Sequence, residues 1–588
     1  LQYCRHSLYG FANRSFKTSL FRNSSVRTYS GSTSFNEKEW EVVIGIEVHA
    51  QLQTKHKLLS HTEIQPEESN DNDIETKEQK DYSNEDNFFR FETTEASKVV
   101  TPNTLVGLCD GGLPGALPTI NWSSVKQICR TGVALGGNVQ QMSRFDRKHY
   151  SYPDLPNSYQ ITQQFHPLVF GGKVEISLED YESLGPDFDP SLSVGSGASK
   201  NVSERKLKRI QEQQKRESEK RERLGIRTLD NVIQPPTPTE ELPRVININR
   251  IHLEHDSGKS IHDMDPSHSF VDLNRSGMSL MEIVSEPDIR SSLEAALYVK
   301  KLQIILSHIQ TAHTTMESGS MRCDLNISVR PAGSTEFGVR SEIKNLSSIK
   351  HLKAACDAEI RRHVDTLSKG ERIYQETRGF NFDTQTTYTQ RRKETEVDYR
   401  FMPDPDLPVL LLSKEQLGKI TKDIPMHPDE LRTYYKNKLG IPLDKITTLV
   451  NTHNASIYFN EILQGNNKRD AALAANWMVV ELFGLLAKDR KSLSDSPVTP
   501  KQLGTIIDAI ESKKISGKIG KKVLREMYNG DNQTTDEIIK KHDWVLSVNI
   551  DEIRIACENI LSENSNNIES YQNGDDREKQ KLIKFFMG

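Results

Sequence analysis

The sequence predicts an α+β fold: a mainly antiparallel sheet core with helices set to one side, followed by an all-helical C-terminal part. Three observations predict it. Short segments of strict polar/apolar alternation recur from Trp40 to Lys344. Few helical crossovers separate them, which favours antiparallel over parallel pairing. From about Glu415 onward the apolar spacing turns helical and stays so.

The chain has 588 residues, 35% hydrophobic and 27% charged, with a net charge of −5. That length implies more than one domain. The near-neutral charge gives no global nucleic-acid footprint, so any RNA contact must use local basic patches. Six scattered cysteines with no C-x-x-C argue against a disulfide framework and a Cys-rich zinc site. No apolar run approaches the ~18 residues of a membrane span.

Residues 1–36 carry Arg5, Arg14, Lys17, Arg22 and Arg27 among many Ser and Thr, without Asp or Glu. This is the composition of a mitochondrial targeting leader; an ordinary polar terminus is the other reading. The first strand follows at Trp40–Leu52, where Ile44, Ile46 and Val48 face one way and Glu47, His49 and Gln51 the other. An acidic, polar insertion at about 63–95 lacks apolar period and reads as disordered. Gly111–Pro118 is a run of turn-formers, and Asn121–Gly136 has helical spacing. Lys148–Gln160 combines three Tyr with two Pro, a rigid loop that serves either as a binding surface or as a packed lid.

After a strand at Val174–Leu178, a second polar insertion spans about 187–243; its Lys/Arg/Glu-rich centre, 203–223, reads as a solvated helix or disorder. Strand patterns return at Ile246–Asp256, Val271–Arg275, Leu280–Glu286, Met321–Arg330 and Val339–Lys344. Ser291 and Glu294 have capping-box spacing at the head of a helix to Ile309, and Ser348–Leu367 is amphipathic. The expected organisation is a leader (1–36), a sheet core (37–300), the remainder of the core with a helical segment (301–412) and a helical tail domain (413–588). In the tail, Thr499-Pro500-Lys501-Gln502 carries the cap, N1 proline and N3 glutamine of a helix start. Lys513, Lys514, Lys518, Lys521, Lys522 and Arg525 cluster there, as a solvated face or as a contact for RNA phosphates.

Glu47, His49, Glu254, Asp256, Glu282 and Asp324 sit on four strand-like segments. If those segments share a sheet, their polar faces converge. A carboxylate-dense pocket with Arg275, Arg322 and Lys344 nearby suits Mg2+ and a nucleotide phosphate. An exposed polar sheet face is the plainer reading. Gly258-Lys259-Ser260 is no P-loop, because Leu253 stands where its first Gly is needed.

The chain resembles the GatB family, the B component of glutamyl-tRNA(Gln) amidotransferase. The residues that carry the resemblance are Val43–His49, Gly112–Pro118, Tyr152–Pro156, Val271–Arg275, Glu282–Asp288, Arg322–Asn326, Glu342–Leu346 and Asp398–Arg400, in family order across about residues 40–410. Ala474–Trp477 and the Thr499 region extend it into the tail. The resemblance implies a cradle core, a helical domain and a tail that touches tRNA. It implies phosphorylation by ATP, with Mg2+, of the γ-carboxylate of Glu on misacylated tRNA(Gln). Ammonia from a separate amidase (glutaminase) component, GatA-like, then gives Gln-tRNA(Gln). A small third component, C-type or fungal F-type, and residence in the mitochondrial matrix complete the picture. A non-catalytic tRNA-binding or assembly component of the same complex is the alternative.

By resemblance, Glu47, His49 and Asp324 are the catalytic residues and Glu47, His49, Glu254 and Glu282 the metal ligands. Arg275, Arg322 and Lys344 would hold the nucleotide. Many relatives have Glu-Glu-Asp where this chain has Glu254-His255-Asp256, so His255 is expected to stand in as a metal ligand. The cysteine pairs that bind zinc in many bacterial relatives are missing, and no structural zinc is expected. The sequence ends at Phe586-Met587-Gly588, where relatives continue into a basic segment; tail–tRNA binding is expected to be weaker or to be supplied by a partner.

Overall fold

The computed structural model describes residues 40–64, 100–184, 243–392 and 398–544, apart from 263, 264, 266, 467, 468, 531 and 532, and a few positions between 554 and 562. The leader at 1–36, nearly all of both polar insertions and the end of the tail lie outside the described residues. The strands of the first half are β1 (Trp40–Gln51), β2 (Asn138–Val139), β3 (Met142–Ser143), β4 (Asp146–His149), β5 (Tyr159–Thr162), β6 (Val169–Phe170), β7 (Lys173–Ile176) and β8 (Arg244–His255). Those that follow are β9 (Lys259–Ile261), β10 (Phe270–Asp272), β11 (Ser279–Ser285), β12 (Met321–Pro331), β13 (Ser341–Ile343), β14 (Glu376–Asn381), β15 (Thr386–Arg392), β16 (Met402–Pro403) and β17 (Leu410–Leu411).

Ten of these strands form one sheet in the order β15-β14-β13-β12-β1-β11-β8-β6-β2, with β7 also paired to β8. Every pairing in it is antiparallel except β13–β14, so the α+β reading holds. The first strand is central because its alternation is long and strict. Ile44, Ile46 and Val48 are buried beneath it, each contributing roughly 1.5–3 kcal/mol by leaving water. Helices Trp122–Ala134, Ser292–His308 and Ile349–Ser368 pack on that apolar face, which leaves the other face to polar side chains.

The expected elements recur with boundary shifts of a few residues. Asn121 caps the helix at 122, and Ser291 caps the one at 292 by accepting from the Glu294 N–H. The Glu294 side chain accepts from the Arg290 N–H and from Arg244. Val271–Arg275 differs from its expected strand. Only Phe270–Asp272 pairs, and Leu273–Arg275 turns because Asp272 accepts from the Asn274 N–H. The β14–β15 hairpin has no counterpart in the sequence reading; the buried positions of β14 are Glu376, Thr377, Arg378 and Gly379, so it lacks the aliphatic alternation that marks a strand.

A second core gathers Leu431 to Ile539 from the helical part, joined by Ile304 of the 292–308 helix. Buried ions tie the halves together. Lys301 donates to Asp180 (2.8 Å) and Asp429 (2.5 Å), and Arg432 donates to Asp180 (2.8 Å). Thr499 and Gln502 form the capping box that their spacing predicts. One stretch, Ala471–Lys488, is long and apolar enough to cross a membrane by length and composition, contrary to the sequence reading. Its residues Ala474, Ala475, Trp477, Met478, Leu482 and Leu486 are buried in the second core, and its Glu481 pairs with Lys521.

Candidate active site

The polar face of the central strands collects five carboxylates and two imidazoles. Register does this directly. His49 on β1 lies opposite Glu282 on β11, and Glu282 lies opposite His252 on β8. On the other side Glu47 lies opposite Asp324 of β12, while Asn326 lies opposite Glu342 of β13. Directly opposed residues have Cβ atoms ~5 Å apart, so side chains from five strands meet. The four-segment grouping expected from alternation is therefore present, with Glu254 reaching His49 from β8.

The contacts are specific. Nδ1 of His49 is 3.0 Å from Oε1 of Glu254 and 3.9 Å from Oε2 of Glu282, and its Nε2 is 3.9 Å from Oδ2 of Asp324. His252 Nε2 is 3.3 Å from Oε2 of Glu282. Asn326 donates to Glu47 at 3.0 Å. Lys344 donates to Asp324 at 2.5 Å and to Glu342 at 2.9 Å.

Negative charge is in excess here. Burial and the charges of Glu282 and Asp324 push the Glu47 carboxyl up. For His49, burial opposes the charged form. The Glu254 hydrogen bond and the charges of Glu282, Glu254 and Asp324 outweigh it and hold the imidazole at about 9. Glu282 and Glu254 are shifted the other way: burial opposes their ionisation, but His252 and His49 beside them hold both carboxyls low.

Three sets of ligand atoms lie within 4.8 Å of one another: Glu47/His49/Glu282, His252/Glu254/Glu282 and Glu47/Asp324/Glu342. A divalent cation fits this donor chemistry. The all-carboxylate set suits Mg2+, which takes one or two carboxylates and keeps the rest of its shell for water and phosphate; the imidazole-containing sets also suit Mn2+. The buried Nδ1 of His252 has no hydrogen-bond partner among the described residues, and Glu47 is disfavoured as an anion; both are what a site built for a cation leaves behind.

His255 is not brought into this group. It points to the apolar face of β8, where its Nδ1 accepts from the Ile161 N–H at 2.9 Å and burial pushes its imidazole down to about 4. Alternation already separates it from His252 and Glu254. Arg322 reaches Asp256 at 2.8 Å. Arg275 spends its guanidinium on the carbonyls of Ser257 (3.0 Å) and Gly258 (2.6 Å), bracing the turn after β8. Asp256 thus belongs to the arginine rim. Sequence reasoning left His252, Asn326 and Glu342 out of the site, although each alternates with a residue that it named: Glu254, Asp324 or Lys344.

In the tail, Lys514 pairs with Asp536, Lys521 with Glu481, and Lys522 lies over the Trp544 ring. Much of the basic cluster is therefore engaged within the protein.

A family model described as the GatB/GatE catalytic domain matches residues 42–418, and one described as the GatB domain matches residues 457–588. The B component of the aspartyl/glutamyl-tRNA(Asn/Gln) amidotransferase of Rickettsia bellii is 36% identical over 553 residues, covering 94% of each chain. That of Neorickettsia sennetsu is 35% identical over 550 residues, 93% of this chain and 92% of its own. The B component of the mitochondrial glutamyl-tRNA(Gln) amidotransferase of Naegleria gruberi is 34% identical over 554 residues, 93% of this chain and 90% of its own. With both models matched and such identity across nearly its whole length, this chain belongs to the GatB family.

Proposed function

We propose that this chain is the synthetic component of a mitochondrial tRNA-dependent amidotransferase. It would activate the side-chain carboxylate of Glu on misacylated Glu-tRNA(Gln) by phosphoryl transfer from ATP. Ammonia released from glutamine by a separate amidase then attacks the acyl carbon, phosphate leaves, and Gln-tRNA(Gln) is formed. The observation that carries the reading is the excess of negative charge on the half-buried polar face around Glu47. A plain structural sheet face has no reason to hold one.

The chemistry needs that face. A carboxylate is a poor electrophile until one oxygen becomes a leaving group, and the transfer joins two anions, so catalysis is mostly positioning and charge stabilisation. A divalent cation bound among Glu47, Asp324, Glu282 and Glu342 would supply the screening. Lys344 and Arg322, at the rim, are placed to orient phosphate oxygens. His49, held by Glu254, would steady developing negative charge. Arg275 serves by bracing the rim rather than by touching phosphate.

The leader composition and the named mitochondrial relative in Naegleria gruberi support a mitochondrial, matrix assignment. The bacterial relatives are named for both Asp and Glu charging, whereas the Naegleria protein is named for Glu alone; the reading commits to Glu-tRNA(Gln). Partners would be the amidase and a small third component.

The test uses the assembled complex with ATP, glutamine and Glu-tRNA(Gln). Glu47→Ala or Asp324→Ala should abolish Gln-tRNA(Gln) formation while glutamine hydrolysis stays measurable. Full transamidation by the double variant would sink the assignment.

A further inference from the structure

Beside the acidic face runs a row of aromatic rings that phosphoryl transfer does not use. Tyr152, Tyr150, Tyr399, Phe401 and Phe165 follow one another with ring centroids 5.9, 6.1, 5.9 and 6.2 Å apart, each pair meeting edge to face. The row is not core. Tyr152 and Phe165 are 59% and 58% exposed, and the three rings between them are partly exposed.

The backbone beneath it is fixed. β4 pairs with β16, the His149 N–H donates to the Tyr399 carbonyl at 2.9 Å, and the Gly258 N–H pins the Asp154 carbonyl at 2.7 Å. Arg400, between two ring-bearing residues, has φ +45°. That conformation disfavours a side chain with a Cβ, so the surrounding pairing must hold it.

The inner end reaches the acidic centre. Lys148 lies 4.9 Å from the centroid of Tyr399 and 5.8 Å from that of Tyr150, and its charge helps hold Glu254 and Glu282 ionised. Glu254 and Asp256 in turn join burial in pushing the Tyr150 hydroxyl up. Lys148 is a cation beside the rings, and the exposed Arg400 stands between Tyr399 and Phe401 in the chain.

Exposed aromatics in line, interleaved with cations, suit successive stacked bases and their phosphates. The single adenine of ATP would occupy one or two rings and leave the rest unexplained. We propose that this row is the stacking platform for the single-stranded 3′ end of the charged tRNA, with Lys148 and Arg400 against its phosphates. The platform would deliver the aminoacyl group to the carboxylate cluster, and the proposal rests on the reading of that cluster as the activation site.

The test is steady-state amidation by the assembled complex, varying charged tRNA and ATP separately. Combined Tyr152→Ala and Tyr399→Ala should raise KM for charged tRNA roughly tenfold or more, with KM for ATP within about twofold of wild type. Combined Tyr152→Phe and Tyr399→Phe should behave as wild type, because stacking needs the ring and not the hydroxyl. An unchanged KM for tRNA would overturn the proposal, and so would a rise in KM for ATP alone, which would give the rings to the nucleotide. If the alanine variants fail to assemble, the wild-type complex can be titrated with uncharged tRNA(Gln) intact or stripped of its unpaired 3′ nucleotides. Several-fold weaker binding of the stripped tRNA is expected, and equal binding overturns the platform. Absence of ATP-dependent amidation by the wild-type complex would instead refute the activation reading, before any variant is compared.

Discussion

The sheet carries two clusters of buried charge, and they differ in balance. At its β13–β15 end, Glu359 is bonded by Arg362 (2.6 Å), His363 (3.1 Å) and Thr387 (2.6 Å) and lies 3.2 Å from Arg378. Arg378 and Thr389 both donate to Glu376. Every carboxylate there has a matching donor. Against burial, the hydrogen bonds from His363 and Arg362 hold the Glu359 carboxyl well below the usual carboxylate range. At the centre of the sheet Glu47 is pushed the other way, by burial and by Glu282 and Asp324. Matched charge holds strands and a helix together; unmatched charge waits for a cation. Within the site the shifts diverge, with Glu47 raised while Glu254 and Glu282 are held low, whereas Glu359 of the scaffold is lowered.

The largest expected effect lies at the unmatched cluster. Glu47→Gln should lower the rate of Gln-tRNA(Gln) formation by roughly 10²–10³, the scale of removing one preorganised electrostatic group, with no loss of thermal stability. At the matched cluster the pattern should invert. Glu359→Ala leaves two arginines without their buried partner and should cost about 3–5 kcal/mol of stability, read by denaturant unfolding. Glu47→Gln and Glu359→Gln should then move Tm in opposite directions: up where a disfavoured charge is removed, down where a paired one is.

Acid should sharpen the contrast. Because the folded-state pKa of Glu359 is depressed, its contribution is present above its unfolded value, ~4.3, and is lost as pH falls through the folded value. Glu47, raised, has the opposite sign: its contribution is present below ~4.3 and is lost as pH rises through its folded value. The Tm gap between wild type and Glu359→Gln should therefore narrow below about pH 4.3, and a constant gap down to full acid unfolding would break the comparison. The smallest effect is expected in the tail. Combined Lys513→Ala and Arg525→Ala should weaken tRNA binding by less than about tenfold and flatten its salt dependence by a slope of roughly two, read by titration at several salt concentrations.

The two clusters are unequally legible in the sequence. Period-2 alternation puts Glu47, His49, Glu254, Glu282 and Asp324 on a common face, because a strand whose other face is aliphatic fixes its own register. His255 is misplaced when a family substitution is followed, although alternation already sets it among the apolar side chains of β8. The matched cluster is invisible. Glu376, Thr377 and Arg378 are buried polar residues on β14, and a strand whose buried positions are charged shows no hydrophobic period. The aromatic row is half legible: the Tyr-rich loop stands out by composition, but the partner ring Tyr399 arrives from about 250 residues away, a distance no local pattern reports.

The most direct measurement of the central claim is transfer of the labelled γ-phosphoryl group of ATP to Glu-tRNA(Gln), with ammonia and glutamine withheld. A hydroxylamine-labile phosphoryl label should accumulate on the charged tRNA with the wild-type complex and be lost with Glu47→Ala. Label that never reaches the tRNA, or that reaches it equally without Glu47, would contradict the account.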